Sequence, residues 1–393
     1  MKSSITRVVT AMGLLALLAL LAACAPAAPS APTPAPKATS GQPAAATPAA
    51  ATAAPKATGG PATTATTPTP VAKSSALDQL IEGARKEGVV RVNLMSPIGD
   101  KGAQRLIDAL NKKYSLNLKM EYTASASMPR TAAQVLTELK TGGAPSWDVI
   151  QGTASNLVDL VQANMVETFD WAGAFPNIPA GAVFYGGANL SVATTYQVPI
   201  YNKNLVRQQD VPRKWEDLLD PKWKGKLVVP SQVDMYVWFT EMWGEERTTR
   251  LVEGLVKQDP IFAEISQVVP RVASGEYPVA AYIPSGQVFQ AQKQGAPVEF
   301  ADEVDPVRGQ DYLLSVPKKA QHPNAAKLFV GFNMSQEAQQ VWWEEAGRSS
   351  HLVPESPMVP VLKGKKLVFG TTEFDLKESP RLTEKYSKIL GLK

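Results

Sequence analysis

Four side chains in the middle of the chain offer hard oxygen donors: Tyr196, Asp234, Tyr236 and Tyr282. Phenolate and carboxylate oxygens suit a small, highly charged cation such as ferric ion. A second set offers different chemistry. Ser96, Thr153, Ser231-Gln232, Ser266 and Ser285 stand at strand ends or just ahead of segments with helical spacing. Backbone N–H groups at a helix N-terminus, helped by hydroxyls, hold carboxylate or phosphate well. The same residue types also serve as ordinary N-caps, each contributing about 1 kcal/mol. Arg130 and Arg271 are available as charge partners for an anion. Other chemistries find little support. The single cysteine, Cys24, excludes a disulfide framework, a zinc cluster and an iron–sulfur site. Two histidines, His322 and His351, leave little for a His-based metal centre or an acid–base set. There is no serine nucleophile elbow, metal-ligand spacing or phosphate loop. The expectation is a binding protein with no cofactor and no catalytic residue.

The elements that position these residues follow from periodicity. Leu77, Leu80, Ile81 and Ala84 recur at helical spacing, and Gly88 ends the segment. Strands are expected at 89–94, 116–122 and 147–150. They alternate with helices at 104–113 and 131–141 and around Leu157, Leu160 and Val161. Strands alternating with helices predict a parallel sheet covered on both faces, with ligands bound beyond the carboxyl ends of the strands. Two extended segments, 190–202 and 297–317, bracket a second set of strands and helices. The fold class expected is therefore α/β, with two α/β lobes joined by two crossover strands. Lobe 1 comprises 75–195 plus 305–345, and lobe 2 comprises 196–304. Residues 346–393 form a C-terminal segment packing across the lobes. A hinge and a cleft follow from that connectivity.

The first 74 residues are of another kind. Lys2 and Arg7 precede an apolar run from Val8 to Ala23 that ends in Leu21-Ala22-Ala23-Cys24. This has the form of a secretory signal, and its end resembles a lipoprotein lipobox, so residues 1–23 are expected to be removed and Cys24 lipidated. Residues 24–74 are almost entirely Ala, Pro and Thr. They lack the apolar side chains that would offset the entropy of ordering, and are expected to be a disordered tether. Charge divides at the same place. Of 40 Lys and Arg, four (Lys2, Arg7, Lys37 and Lys56) lie in residues 1–72, where there is no acid. The remaining 36 match the 36 acids, so the body is formally neutral and nucleic acid is not an expected partner.

Three stretches of the body carry a likeness. They are Pro199-Ile200-Tyr201-Asn202 followed by Trp215-Glu216-Asp217-Leu218-Leu219-Asp220-Pro221-Lys222-Trp223-Lys224-Gly225, then Val272-Ala273-Ser274-Gly275-Glu276-Tyr277-Pro278-Val279, and last Pro317 to Phe329 with Ser335 to Gln340. Together they resemble extracytoplasmic solute-binding proteins of ABC importers, type 2 periplasmic-binding-protein-like, and most of all the branch that includes the ferric-iron-binding proteins. The resemblance implies a monomer whose lobes close on a small solute and deliver it to a membrane permease. Ferric binders of that branch carry two adjacent tyrosines shortly after the Gly-Glu-Tyr-Pro strand. This chain has Tyr282-Ile283-Pro284-Ser285-Gly286 there and no Tyr-Tyr pair anywhere. The departure favours an organic or phosphorus-containing anion, with ferric transport or a solute sensor as alternatives. The residues expected at the ligand are Ser96, Arg130, Thr153, Tyr196, Gln232, Asp234, Tyr236, Ser266, Tyr282 and Ser285.

Overall fold

Ser75 opens the first helix with a reciprocal cap: its hydroxyl accepts from the Asp78 amide (3.1 Å), and the Asp78 carboxylate accepts from the Ser75 amide (3.0 Å). The computed structural model describes residues 75–392. The signal sequence, the Cys24 lipidation and the 24–74 tether expected above lie outside the described residues. The strands are β1 Val89–Met95, β2 Lys119–Ser125, β3 Val149–Gly152, β4 Val183–Phe184, β5 Asn189–Asn202, β6 Leu227–Pro230, β7 Ile261–Ala263, β8 Val279–Pro284, β9 Val298–Phe300, β10 Val307–Ser315 and β11 Leu367–Val368. The helices are α1 Ala76–Glu87, α2 Gly99–Tyr114, α3 Met128–Lys140, α4 Ala154–Gln162, α5 Trp171–Ala174, α6 Asp234–Trp243 and α7 Glu245–Lys257. After them come α8 Ile265–Ser274, α9 Ser285–Lys293, α10 Pro323–Phe332, α11 Gln336–Ala346, α12 Met358–Val361 and α13 Thr372–Leu390.

The strands form one sheet in the order β2-β1-β3-β10-β5-β8-β6-β7, with β4 and β9 on β5 and β11 on β10. As expected, β1 pairs parallel with β2 and with β3, and β6 pairs parallel with β7 and β8. The crossovers differ from the all-parallel expectation. Strand β10 runs antiparallel to β3 and β5, and β5 antiparallel to β8, because a chain that leaves one lobe and returns must traverse the sheet in both senses. Every residue of the 14-residue β5 is buried, which explains its unbroken β-rich composition. The second strand starts at Lys119 rather than Leu116. Ser115 turns left-handed (φ 51°), and the Asn111 side chain holds Leu118 through its N–H and its C=O, both at 2.9 Å, spending those residues on the turn.

Two α/β lobes result, each with its own apolar core. One gathers Leu94, Leu106, Leu190, Phe329, Phe332 and Trp342. The other gathers Trp215, Tyr236, Phe239, Leu251 and Tyr282 and is completed by Leu382, Tyr386 and Leu390 from α13. Strands β5 and β10 cross between them. The last helix thus packs on α6 and α7, while Tyr185 reaches it from the first lobe by donating its hydroxyl to Thr372 Oγ1 (3.0 Å). Among the described residues no helix is long and apolar enough to cross a membrane.

Candidate functional site

A cavity of about 360 Å³ opens where helix N-termini meet the crossover strands. The first lobe contributes Met128 and Pro129 at the start of α3, and Thr153, Ser155 and Asn156 at the start of α4. The second contributes Gln232 and Asp234 before and at the start of α6, Ile265 at the start of α8, and Tyr282, Pro284 and Gln287 where β8 enters α9. The crossovers supply Gln197, Arg308, Gln310 and Tyr312, and the C-terminal region supplies Arg348, Asp375 and Ser379. A smaller recess of about 130 Å³ shares Thr153, Ser155, Arg308, Gln310 and Asp375 with it, and adds Trp238 and Phe369. Six helix N-termini (α3, α4, α6, α8, α9 and α13) therefore border one space, each with orphan backbone donors and a partial positive charge.

The charged groups are unequally satisfied. Arg308 donates to Asp234 Oδ2 at 2.6 Å and to Gln197 Oε1 at 3.3 Å. Arg348 is buried, with 4% of its surface exposed. Its guanidinium lies 4.7 Å from the Tyr312 ring centroid, and its Nε donates to the Ala346 carbonyl at 3.3 Å. No carboxylate among the described residues pairs with it. A buried guanidinium without a counter-ion is costly, and an anion entering the cavity would relieve that cost.

Two glycines permit this placement. A Cβ on Gly286, in the first turn of α9, would lie 3.0 Å from the Ala346 carbonyl, 3.1 Å from that of Gly347 and 3.3 Å from Arg348 Nε. Gly347 is left-handed (φ 64°), and a Cβ there would collide with the Gly286 carbonyl. The loop carrying Arg348 can press against α9 only because both residues lack side chains. Ser349 is then tied to the crossover, its carbonyl accepting from the Thr194 amide at 3.0 Å.

Asp375, half-buried on α13, accepts no hydrogen bond and joins no ion pair among the described residues. Burial pushes its carboxyl pKa up, Arg308 pulls it down, and Glu241 and Asp234 add to the rise. The Gln232 Oε1 is buried without a partner, while its Nε2 donates to Glu264 at 3.2 Å.

Four of the ten residues expected from sequence come together at this cavity: Thr153, Gln232, Asp234 and Tyr282. The other six do not line it. Ser96 is exposed and donates to the Ser125 carbonyl at 3.0 Å, ending its strand. Arg130 is exposed one residue past the lining part of α3, and Ser266 is exposed one residue past Ile265. Ser285 is buried and its hydroxyl accepts from the Tyr196 amide at 3.2 Å, so it binds backbone. Tyr196 is packed among Phe289, Phe300 and Lys365. Tyr236 lies edge-on to Tyr282 at 6.0 Å in the second core, its hydroxyl without a partner. Arg271, considered as an anion partner, pairs instead with Glu276. The cations at the cavity are Arg308 and Arg348, neither of which the sequence reading singled out. For Arg348 the nearest local signal is the glycine before it at the end of α11, and Arg308, inside β10, has none.

The oxygen donors do not assemble as a metal site. Burial raises the pKa of the Tyr196, Tyr236 and Tyr282 hydroxyls, which opposes phenolate, and the Tyr282 hydroxyl is already committed to the Gln232 carbonyl. No cluster of three or more His, Cys, Asp or Glu that could hold a metal occurs among the described residues.

Comparison with known proteins agrees with this architecture. A family model described as bacterial extracellular solute-binding protein matches residues 105–357. An uncharacterized protein of Haemophilus influenzae is 27% identical over 148 residues, which is 35% of this chain and 41% of that protein, so the match spans less than half of that relative. Iron-bound HitA from Pseudomonas aeruginosa superposes with a TM-score of 0.62 at 16% identity, covering 77% of this chain and 99% of that one. AfuA from Actinobacillus pleuropneumoniae with fructose-6-phosphate gives 0.60 at 20% identity, with 78% and 99% coverage. AgtB from Agrobacterium tumefaciens with agropinic acid gives 0.59 at 15% identity, with 77% and 99% coverage. These likenesses establish a shared fold. With the family match spanning well over half of its 393 residues, the chain belongs to the bacterial extracellular solute-binding proteins.

Proposed function

We propose that this protein captures a small organic or phosphorus-containing anion in the cavity between its lobes and delivers it to an ABC permease, as a monomer tethered to the membrane through lipid on Cys24. The observation that carries the ligand class is Arg348: a buried guanidinium lining the cavity and paired with no carboxylate among the described residues. Around it stand helix N-termini and the amides of Gln197, Gln287 and Gln310, which suit carboxylate or phosphate oxygens. Solved relatives of the same fold hold iron, a sugar phosphate and an opine, so the fold itself leaves the solute open. Ferric ion finds less support, because the phenols that would ligate it are buried in core packing or hydrogen-bonded to backbone.

A thermal-shift screen of carboxylates, phosphonates, sugar phosphates and ferric ion tests this reading. A solute at a hundred times its Kd stabilises the native protein by about 2.7 kcal/mol. An anion is expected to raise the melting temperature, and Arg348→Gln to weaken its binding by roughly 30- to 150-fold, the loss of about 2–3 kcal/mol typical of a charge-assisted contact. A response to ferric ion alone, or an anion response that survives Arg348→Gln, overturns it. The anchor is tested separately: Cys24→Ala should release the protein from the membrane fraction, and its retention there would contradict the lipid attachment.

A further inference from the structure

The charges lining the cavity are two arginines, Arg308 and Arg348, and two aspartates, Asp234 and Asp375. Arg308 and Asp234 pair with one another at 2.6 Å. That leaves one cation and one acid unpaired in the same enclosure, on different walls. Arg348 lies against Tyr312 and the start of α9, while Asp375 projects from α13. The two do not form an ion pair with each other.

An enclosure with balanced charge is poorly served by a plain anion. Such a ligand would neutralise Arg348 and leave the half-buried Asp375 without an ion-pair partner. A fully ionised anion also has no proton to donate, yet the Asp375 carboxylate is an acceptor without a partner at the cavity. Three charges act on Asp375 at the α13 end: Arg308 from the positive side, and Glu241 and Asp234 from the negative side.

We propose that the solute is a zwitterion, its carboxylate, phosphonate or phosphate on Arg348 and its ammonium toward Asp375. The proposal rests on the anion reading above and narrows it: Arg348 accepts the class, and Asp375 selects within it. A ligand of this kind leaves the cavity neutral after binding and gives both unpaired groups a partner. A cavity of about 360 Å³ suits a molecule the size of a short amino acid or aminoalkyl phosphonate.

The test is isothermal calorimetry on the full-length mature protein with two matched series. The first is ethylphosphonate, 2-hydroxyethylphosphonate and 2-aminoethylphosphonate. The second is propionate, 3-hydroxypropionate and β-alanine. In at least one series the amino member is expected to bind tenfold or more tighter than both others. In Asp375→Asn that preference should fall toward one, and Asp375→Glu, which keeps the charge, should restore part of it. Equal affinity across a series that binds, or an amino preference that persists in Asp375→Asn, overturns the zwitterion and leaves the anion reading standing. If no member of either series binds while ferric ion does, both fall. Because Asp375 has no protein partner to lose, the apo melting temperatures of its variants should match that of the parent, which separates a binding effect from misfolding.

Discussion

Two buried charges show how differently this protein treats structure and binding. Asp148, fully buried in the first lobe, accepts from the Arg91 amide, Nε and Nη2 (2.9, 3.3 and 3.0 Å), from the amides of Gln321 and His322 (2.9 and 3.2 Å), and from His322 Nδ1 at 2.8 Å. It fastens β1 and the end of β3 to the entry of α10. Burial pushes its pKa up, but the hydrogen bonds from Arg91 and His322 outweigh that and hold it below the usual Asp value. Arg348, nearly as buried, has one backbone carbonyl and the face of Tyr312. The first group is saturated from within the chain. The second is left short, and the proposed anion is placed where that partner is missing.

That contrast can be broken by substitution. The largest effect is expected from Asp148→Ala, which strands Arg91 and several amides and should cost about 3–5 kcal/mol in urea unfolding, the range for removing one partner of a buried pair. Its pH signature has a definite sign. Because the folded pKa is depressed, Asp148 contributes stability above the ordinary Asp range and loses it as pH falls through the folded value. The parent should therefore lose stability on acidification in that window, and Asp148→Ala should lose less. An alanine variant as stable as the parent would remove the distinction drawn here.

Arg348→Gln sharpens it from the other side. Removing a buried cation that lacks a counter-ion should leave unfolding stability within about 1 kcal/mol of the parent, or raise it, while anion affinity falls as stated above. A large loss of stability would mean that Arg348 holds the fold together as Asp148 does. A smaller loss of anion affinity than that of Arg348→Gln is expected from Gly286→Ala. The new Cβ, about 3 Å from the Ala346 and Gly347 carbonyls, should displace the Arg348 loop. Overpacking of this kind costs about 1–3 kcal/mol. Calorimetry should show weaker anion binding with a change in the apo melting temperature smaller than that of Asp148→Ala.

Much of this architecture was legible because it is local. The spacing of Leu77, Leu80, Ile81 and Ala84, the glycine stop at Gly88, and the β-rich run through Leu190–Ile200 each announce their element within one or two turns of chain. Thr153, Gln232, Asp234 and Tyr282 line the cavity, and each stands at a helix start or strand end readable from its neighbours. Side-chain type alone does not place a tyrosine at the cavity. Tyr196 and Tyr236 carry the right atoms, but aromatic neighbours enclose them. Arg308, Arg348 and Asp375 were invisible because nothing near them in sequence distinguishes them from any surface charge. Their role depends on contacts between residues far apart in the chain, such as Gly286 with Gly347 and Thr194 with Ser349.

The last helix joins two duties in one stretch of chain. One side of α13 lends Leu382, Tyr386 and Leu390 to the second core, while its opening turns present Asp375 and Ser379 to the cavity. Recognition and folding are thereby yoked on a terminal segment. A chain ending before Leu382 would forfeit three side chains of the second core while keeping Asp375 and Ser379, so the two duties separate along the helix.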